Sequence, residues 1–222
     1  MASPTHSSHD VNLWSSADHS RDYLKRADSI PHRGEGEATL LEFLPAQVGR
    51  VLDVGSGGGR LLSLVKAARP GAQYVALDFS SAMLQTLKDS FGSNTSAAVV
   101  EHDFSRPLPE LCRFDAVVSS FAIHHVSHER KRCLYGEIFG LLNPGGVFLN
   151  LEHVASPSVA LHDQFLRATG NTRETEDPSN KLLDLEVQLA WLRQIGFTDV
   201  DCHWKWRELA LLAGIKPLQS AA

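Results

Sequence analysis

Val51-Leu52-Asp53-Val54-Gly55-Ser56-Gly57-Gly58-Gly59-Arg60 runs from a short apolar stretch through a glycine-dense turn into Leu61, Leu62, Leu64, Val65 and Ala68 at helical spacing. A buried strand, a turn and a helix open a β-α-β unit. Glycine lets the backbone turn sharply and lets a ligand approach peptide N–H groups at the carboxyl ends of the strands, where open α/β sheets bind cofactors.

Beyond this stretch, apolar runs at 73–78, 97–101, 114–119 and 146–151 alternate with helical patterns such as Leu134, Ile138, Leu141 and Leu142, as parallel strands with covering helices do. A later stripe, Leu185, Leu189, Leu192 and Ile195, ends at Gly196 in the place of a C-terminal cap. Strand-like residues 197–206 and 209–215 follow, joined by a turn near Arg207-Glu208 too short for anything but an antiparallel pair. The predicted fold is α/β, a Rossmann-like, doubly wound, seven-stranded mixed sheet that is mostly parallel and ends in an antiparallel C-terminal hairpin. One domain accommodates it: a disordered segment 1–12, a helical cover 13–46 (helices at Asp18–Asp28 and Glu35–Leu44), a cofactor-binding half 47–154, a cap-like excursion 155–181, and a helix with the closing hairpin at 182–217.

The 222 residues are 43% hydrophobic and 21% charged with a formal charge of -5, enough for one buried core and without the basic footprint of a nucleic-acid binder. Three scattered cysteines, Cys112, Cys133 and Cys202, fit neither a disulfide framework nor a zinc knuckle. No signal-like or membrane-length apolar segment is read, so the expected setting is the cytoplasm, as a monomer or homodimer.

Two residues narrow the cofactor. A dinucleotide site wants a third glycine where Arg60 stands, and Asp53 would place a negative charge against a pyrophosphate. A cation suits Asp53 better. Asp78 closes the second strand at the separation where a carboxylate accepts from ribose hydroxyls. An ammonium and a ribose diol together describe S-adenosylmethionine.

With these motifs the chain resembles the class I S-adenosylmethionine-dependent methyltransferases over about Ile30 to Pro217. Asp53, Gly55, Ser56 and Gly57 match the cofactor loop, and Asp78, Phe79 and Met83 the ribose and adenine border. Asp103 and Phe104 match the adenine site, and the strand through Ser119 the one that ends beside the sulfonium. Leu141 to Phe148 resembles the turn into the fifth strand. The resemblance implies S-adenosylmethionine as cofactor and methyl transfer as the reaction.

Transfer from a sulfonium gains much of its rate from alignment, and a base is needed only where the acceptor loses a proton. His124, His125 and Glu152 are the candidates, the alternative being that a histidine packs on the cofactor or caps the next helix. Arg33 pairs with the methionine carboxylate or forms a surface salt bridge with Glu35 or Glu37. Adjacent residues such as Glu152 and His153 point apart on a strand, so no metal site is predicted, even with His162 nearby. Trp14 is a lid or a staple, Trp204 and Trp206 pack in a core or interface, and Trp191 is core. The expected acceptor is a small molecule. A tRNA- or protein-directed enzyme, a non-catalytic binding module and a nicotinamide oxidoreductase are the competing readings, the last opposed by Arg60 and Asp53.

Overall fold

Residues 30–91 and 97–218 are described by the computed structural model, so the segment 1–12, Trp14 and the helix predicted at Asp18–Asp28 lie outside the described residues. The apolar runs form β1 (Arg50–Val54), β2 (Gln73–Asp78), β3 (Ala97–Glu101), β4 (Phe114–Ser120) and β5 (Leu142–His153), and the hairpin forms β6 (Thr198–Trp206) and β7 (Leu209–Ile215). Their order across the sheet is β3-β2-β1-β4-β5-β7-β6, parallel as far as β5 and antiparallel at β7 and β6. Val51, Leu52 and Val54, like Ala116, Val117 and Val118, are fully buried, which is why these central strands read as mainly apolar runs.

Helices α1 (Arg33–Phe43), α2 (Arg60–Ala68), α3 (Ser81–Phe91) and α5 (Val159–Ala168) put Leu40, Leu62, Leu87 and Phe165 into the core on one face. On the other face α4 (His128–Leu141) and α6 (Leu185–Ile195) bury Leu134, Ile138, Leu189 and Leu192. Side chains of Ser127, Ser158 and Asp184 cap the starts of α4, α5 and α6 by accepting from backbone N–H groups. Gly196 ends α6 at φ 116°, a conformation other residues adopt only with strain.

Two boundaries and the burial of one side chain differ from the sequence reading. Helix α1 starts at Arg33, because His32 takes a left-handed conformation (φ 60°) and its ring pairs with Glu35 at 2.8 Å. Strand β5 starts at Leu142, which pairs with Phe114 before the register shifts and Val147 meets Ala116. Asn143, within that irregularity, donates to Asp115 Oδ1 at 2.7 Å. Trp191 is half-buried beneath the Arg132 guanidinium (5.8 Å) rather than in the core, whereas Trp204 and Trp206 do pack against the core.

Candidate cofactor and acceptor site

The reversal of strand order between β1 and β4 leaves a crevice at their carboxyl ends. Gly55 lies there at φ 72°, and a Cβ on it would come within 2.2 Å of the Ala122 side chain, so the loop after β1 and the turn after β4 touch only because that residue is glycine. Four of the loop N–H groups are not open donors, contrary to the sequence reading. Gly55 N and Ser56 N donate to Leu77 O (2.8 and 3.0 Å), Gly57 N to Asp78 Oδ2 (2.8 Å) and Gly59 N to Ser56 O (2.9 Å). The glycines therefore shape a close surface, and a phosphate would find these donors already used.

Asp53 sits beneath that surface with no solvent exposure, and neither carboxylate oxygen has a hydrogen-bond partner among the described residues. Burial, with the charge of Asp78, raises its pKa to about 8, against a lowering effect of Arg33. Asp78 is also buried and raised, and accepts from Gly57 N and from Ser80 N (2.9 Å), bridging the loop to the end of β2. The Ser56 hydroxyl is buried without a partner among the described residues. Met83 and Phe104 are buried alongside, Phe79 is half-buried, and Asp103 accepts from Ser105 N at 2.9 Å.

Arg33 is not a surface residue. It is buried, pairs with Glu37 Oε1 at 2.7 Å, lies 3.4 Å from the Ser120 hydroxyl and stands over the Phe121 ring. Arg60 grips the same Glu37 through Nε and Nη2, both at 2.8 Å, tying α1 to the start of α2. Burial would raise Glu37, but the hydrogen bonds from Arg60 and Arg33 outweigh it and hold it low. Ser119 points inward and donates to Val54 O at 2.8 Å, so its hydroxyl joins β4 to β1 rather than facing a ligand.

At the end of β5 the neighbours Glu152 and His153 do face opposite sides. Glu152, fully buried, accepts from His124 Nδ1 at 2.7 Å, amid the buried Lys131, Tyr135, Asn150 and Gln188. Burial would raise Glu152, but His124 and the charge of Lys131 hold it low. Burial also lowers His124, so the ring is neutral near pH 7, with its one proton on Nδ1 and its lone pair on Nε2. His125 is half-buried, tilted against His124 at 4.0 Å, with Nδ1 3.0 Å from the Ser179 hydroxyl.

On the other side the His153 ring reaches Glu208 Oε2 at 2.9 Å, and His162 on α5 reaches Glu208 Oε1 at 2.9 Å. Glu208 is buried and also accepts from Ser156. Sequence reasoning passed over it as a turn residue, because nothing local marks partners 46 to 55 positions away. The β6–β7 turn lying beside the end of β5 was the available signal. Among the described residues no group of three or more His, Cys, Asp or Glu side chains has the geometry to hold a metal.

A family described as "Methyltransferase domain" matches residues 51–146. The chain is 24% identical to carboxy-S-adenosyl-L-methionine synthase of Helicobacter hepaticus, over 88% of this chain and 90% of that one. It is 29% identical to demethylmenaquinone methyltransferase of Clavibacter sepedonicus, over 81% and 78%. An O-methyltransferase family protein from Burkholderia thailandensis shares the fold with a TM-score of 0.72 at 18% identity, over 93% of this chain, which spans only 62% of that one. Other solved methyltransferases of this fold, at 16% and 18% identity, hold S-adenosylhomocysteine or S-adenosylmethionine.

Proposed function

We propose that the chain is a class I S-adenosylmethionine-dependent methyltransferase and that it methylates a small molecule held where β4 and β5 end. The observation that carries this reading is Asp53, a buried carboxylate without a partner whose charge a ligand ammonium would meet. In this reading Gly55, Ser56 and Gly57 line the cofactor's approach, and Arg33 stands near its carboxylate. Asp78 has capacity left on each oxygen for ribose hydroxyls, while Phe79, Met83, Asp103 and Phe104 border the adenine. When bound, the cofactor supplies an electrophilic methyl group.

The protein's own part is alignment. Helix α1 and helix α5 cover the strand ends, and Lys181 N donates to His124 O at 2.8 Å, drawing the segment after α5 across the same edge. That cover, the net charge of -5 and a relative named for demethylmenaquinone favour a small acceptor. His124, oriented by Glu152, takes the acceptor's proton at Nε2 where there is one to lose; His125 borders the same space.

Titration calorimetry with S-adenosylhomocysteine, followed by product formation from S-adenosylmethionine on a small-molecule panel, bulk tRNA and protein, tests the proposal. Turnover on small molecules is expected; turnover confined to tRNA or protein overturns it.

A further inference from the structure

Glu208 uses both of its oxygens, Oε2 accepting from His153 Nε2 and Oε1 from His162 Nδ1 and Ser156. The other nitrogen of His162, Nε2, lies 3.1 Å from Glu176 Oε2. A neutral imidazole has a single N–H, so a ring with a carboxylate at each nitrogen is an imidazolium. Burial works against that charge, and the two carboxylates outweigh it and raise the His162 pKa. His162 therefore already supplies the countercharge for Glu208. His153 gives Glu208 its Nε2–H, and in that tautomer the ring's lone pair lies on Nδ1.

Nδ1 of His153 has no hydrogen-bond partner among the described residues, and the side chain keeps 13% of its exposure. His124 shows the same logic with the nitrogens reversed, and the two rings meet edge to face at 5.5 Å. From His153 a run of rings continues through Phe165 (5.0 Å) and Trp206 (6.1 Å further) to His32, stacked on Trp206 at 4.5 Å.

We infer that His153 Nδ1 accepts a hydrogen bond from the methyl acceptor, that Glu208 is the residue positioning it, and that the acceptor is a planar compound with adjacent hydroxyls, one for each imidazole. The inference rests on the small-molecule reading above. Flat rings favour a flat ligand, and lone pairs on two oriented imidazoles favour one that donates twice.

Glu208→Gln separates positioning from packing, because it keeps the shape and leaves one acceptor oxygen. The Oε1 side faces an imidazolium N–H and a hydroxyl, so the amide oxygen takes that side and the NH2 group faces His153. Donating to Nε2, it moves the His153 proton to Nδ1 and removes the lone pair from the acceptor.

The experiment is histidine ¹⁵N NMR of the full chain loaded with S-adenosylhomocysteine and titrated with catechol or with 1,2-dimethoxybenzene. In the parent protein His153 should be the Nε2–H tautomer, and catechol, but not the ether, should shift His153 and His124. Glu208→Gln should bind S-adenosylhomocysteine normally, show Nδ1–H at His153 and weaken catechol binding at least tenfold; Glu208→Asp should restore Nε2–H. Retention of Nε2–H in Glu208→Gln overturns the positioning. Catechol that leaves His153 unmoved, or an ether that moves it equally, overturns the acceptor class. Should Glu208→Gln not fold, His153→Gln tests the same contact by loss of catechol binding with S-adenosylhomocysteine affinity unchanged. Failure of the small-molecule reading would appear separately, as turnover confined to tRNA or protein.

Discussion

Two sets of buried carboxylates lie along one edge of the sheet, and their surroundings push them in opposite directions. Asp53, at the end of β1, has no partner and is raised to about 8. Glu37, Glu152 and Glu208 are equally removed from water, yet donors from arginine, histidine and serine hold all three low. Burial is common to both sets, so side-chain donors from arginine and histidine make the difference; backbone N–H groups alone leave Asp78 raised. A saturated carboxylate orients the protein's own groups, whereas an unsaturated one marks a place kept for a ligand.

Removing a saturated carboxylate should do the most damage. Glu152→Ala leaves the buried Lys131 and His124 without their countercharge, and should cost about 3–5 kcal/mol in denaturant unfolding. Asp53→Asn should do the reverse to the free protein, raising its melting temperature, while weakening S-adenosylmethionine binding by about 1.5–3 kcal/mol in calorimetry. A loss of stability in that variant would place Asp53 with the other set.

The pH dependence has opposite signs in the two sets. Asp53 lies above its ordinary value of 3.8, so its contribution to the free fold is complete below 3.8 and is lost as the pH rises through about 8. The three glutamates lie below 4.5, so theirs is present above that value and is lost as the pH falls through their lowered pKa values. A bound ammonium needs Asp53 ionised, so binding should release close to one proton at pH 7. Affinity should then weaken by up to about tenfold per pH unit below 8. Calorimetry in buffers of different ionisation enthalpy measures that proton, and Asp53→Asn should abolish it. The smallest effect is expected of Ser119→Ala, about 0.5–1.5 kcal/mol of stability for its bond to Val54 O, with cofactor affinity unchanged.

The sheet was legible in the sequence because strands covered on both faces are apolar along most of their length, with the buried polar residues Asp53, Asp78 and Ser119 near their carboxyl ends, so β1, β2 and β4 announce themselves as apolar runs. The hairpin was legible because Arg207 and Glu208 leave no room for a crossover. Asp53 and Arg60 could be weighed because their spacing from the glycines is local. Partners across the fold could not be read this way. Glu37 meets Arg60, Tyr135 meets Gln188 and His153 meets Glu208 at separations of 23, 53 and 55 positions, and no periodicity records such pairs. Arg33 shows the same limit: the sequence offered Glu37 as a partner, but only packing reveals that the pair is buried. For the glycine loop, composition indicated a close approach and not which N–H groups the fold itself consumes.

Strand β7 follows β6 in the chain but lies inside it in the sheet, between β5 and β6. Strands β1 to β4 and their helices can come together from neighbouring segments as they leave the ribosome. The β5 edge has to wait until the hairpin that carries Glu208 has been made and has docked, a contact with a large loop-closure cost. A nascent chain would thus shape the crevice between β1 and β4 before the edge where Glu208 meets the end of β5.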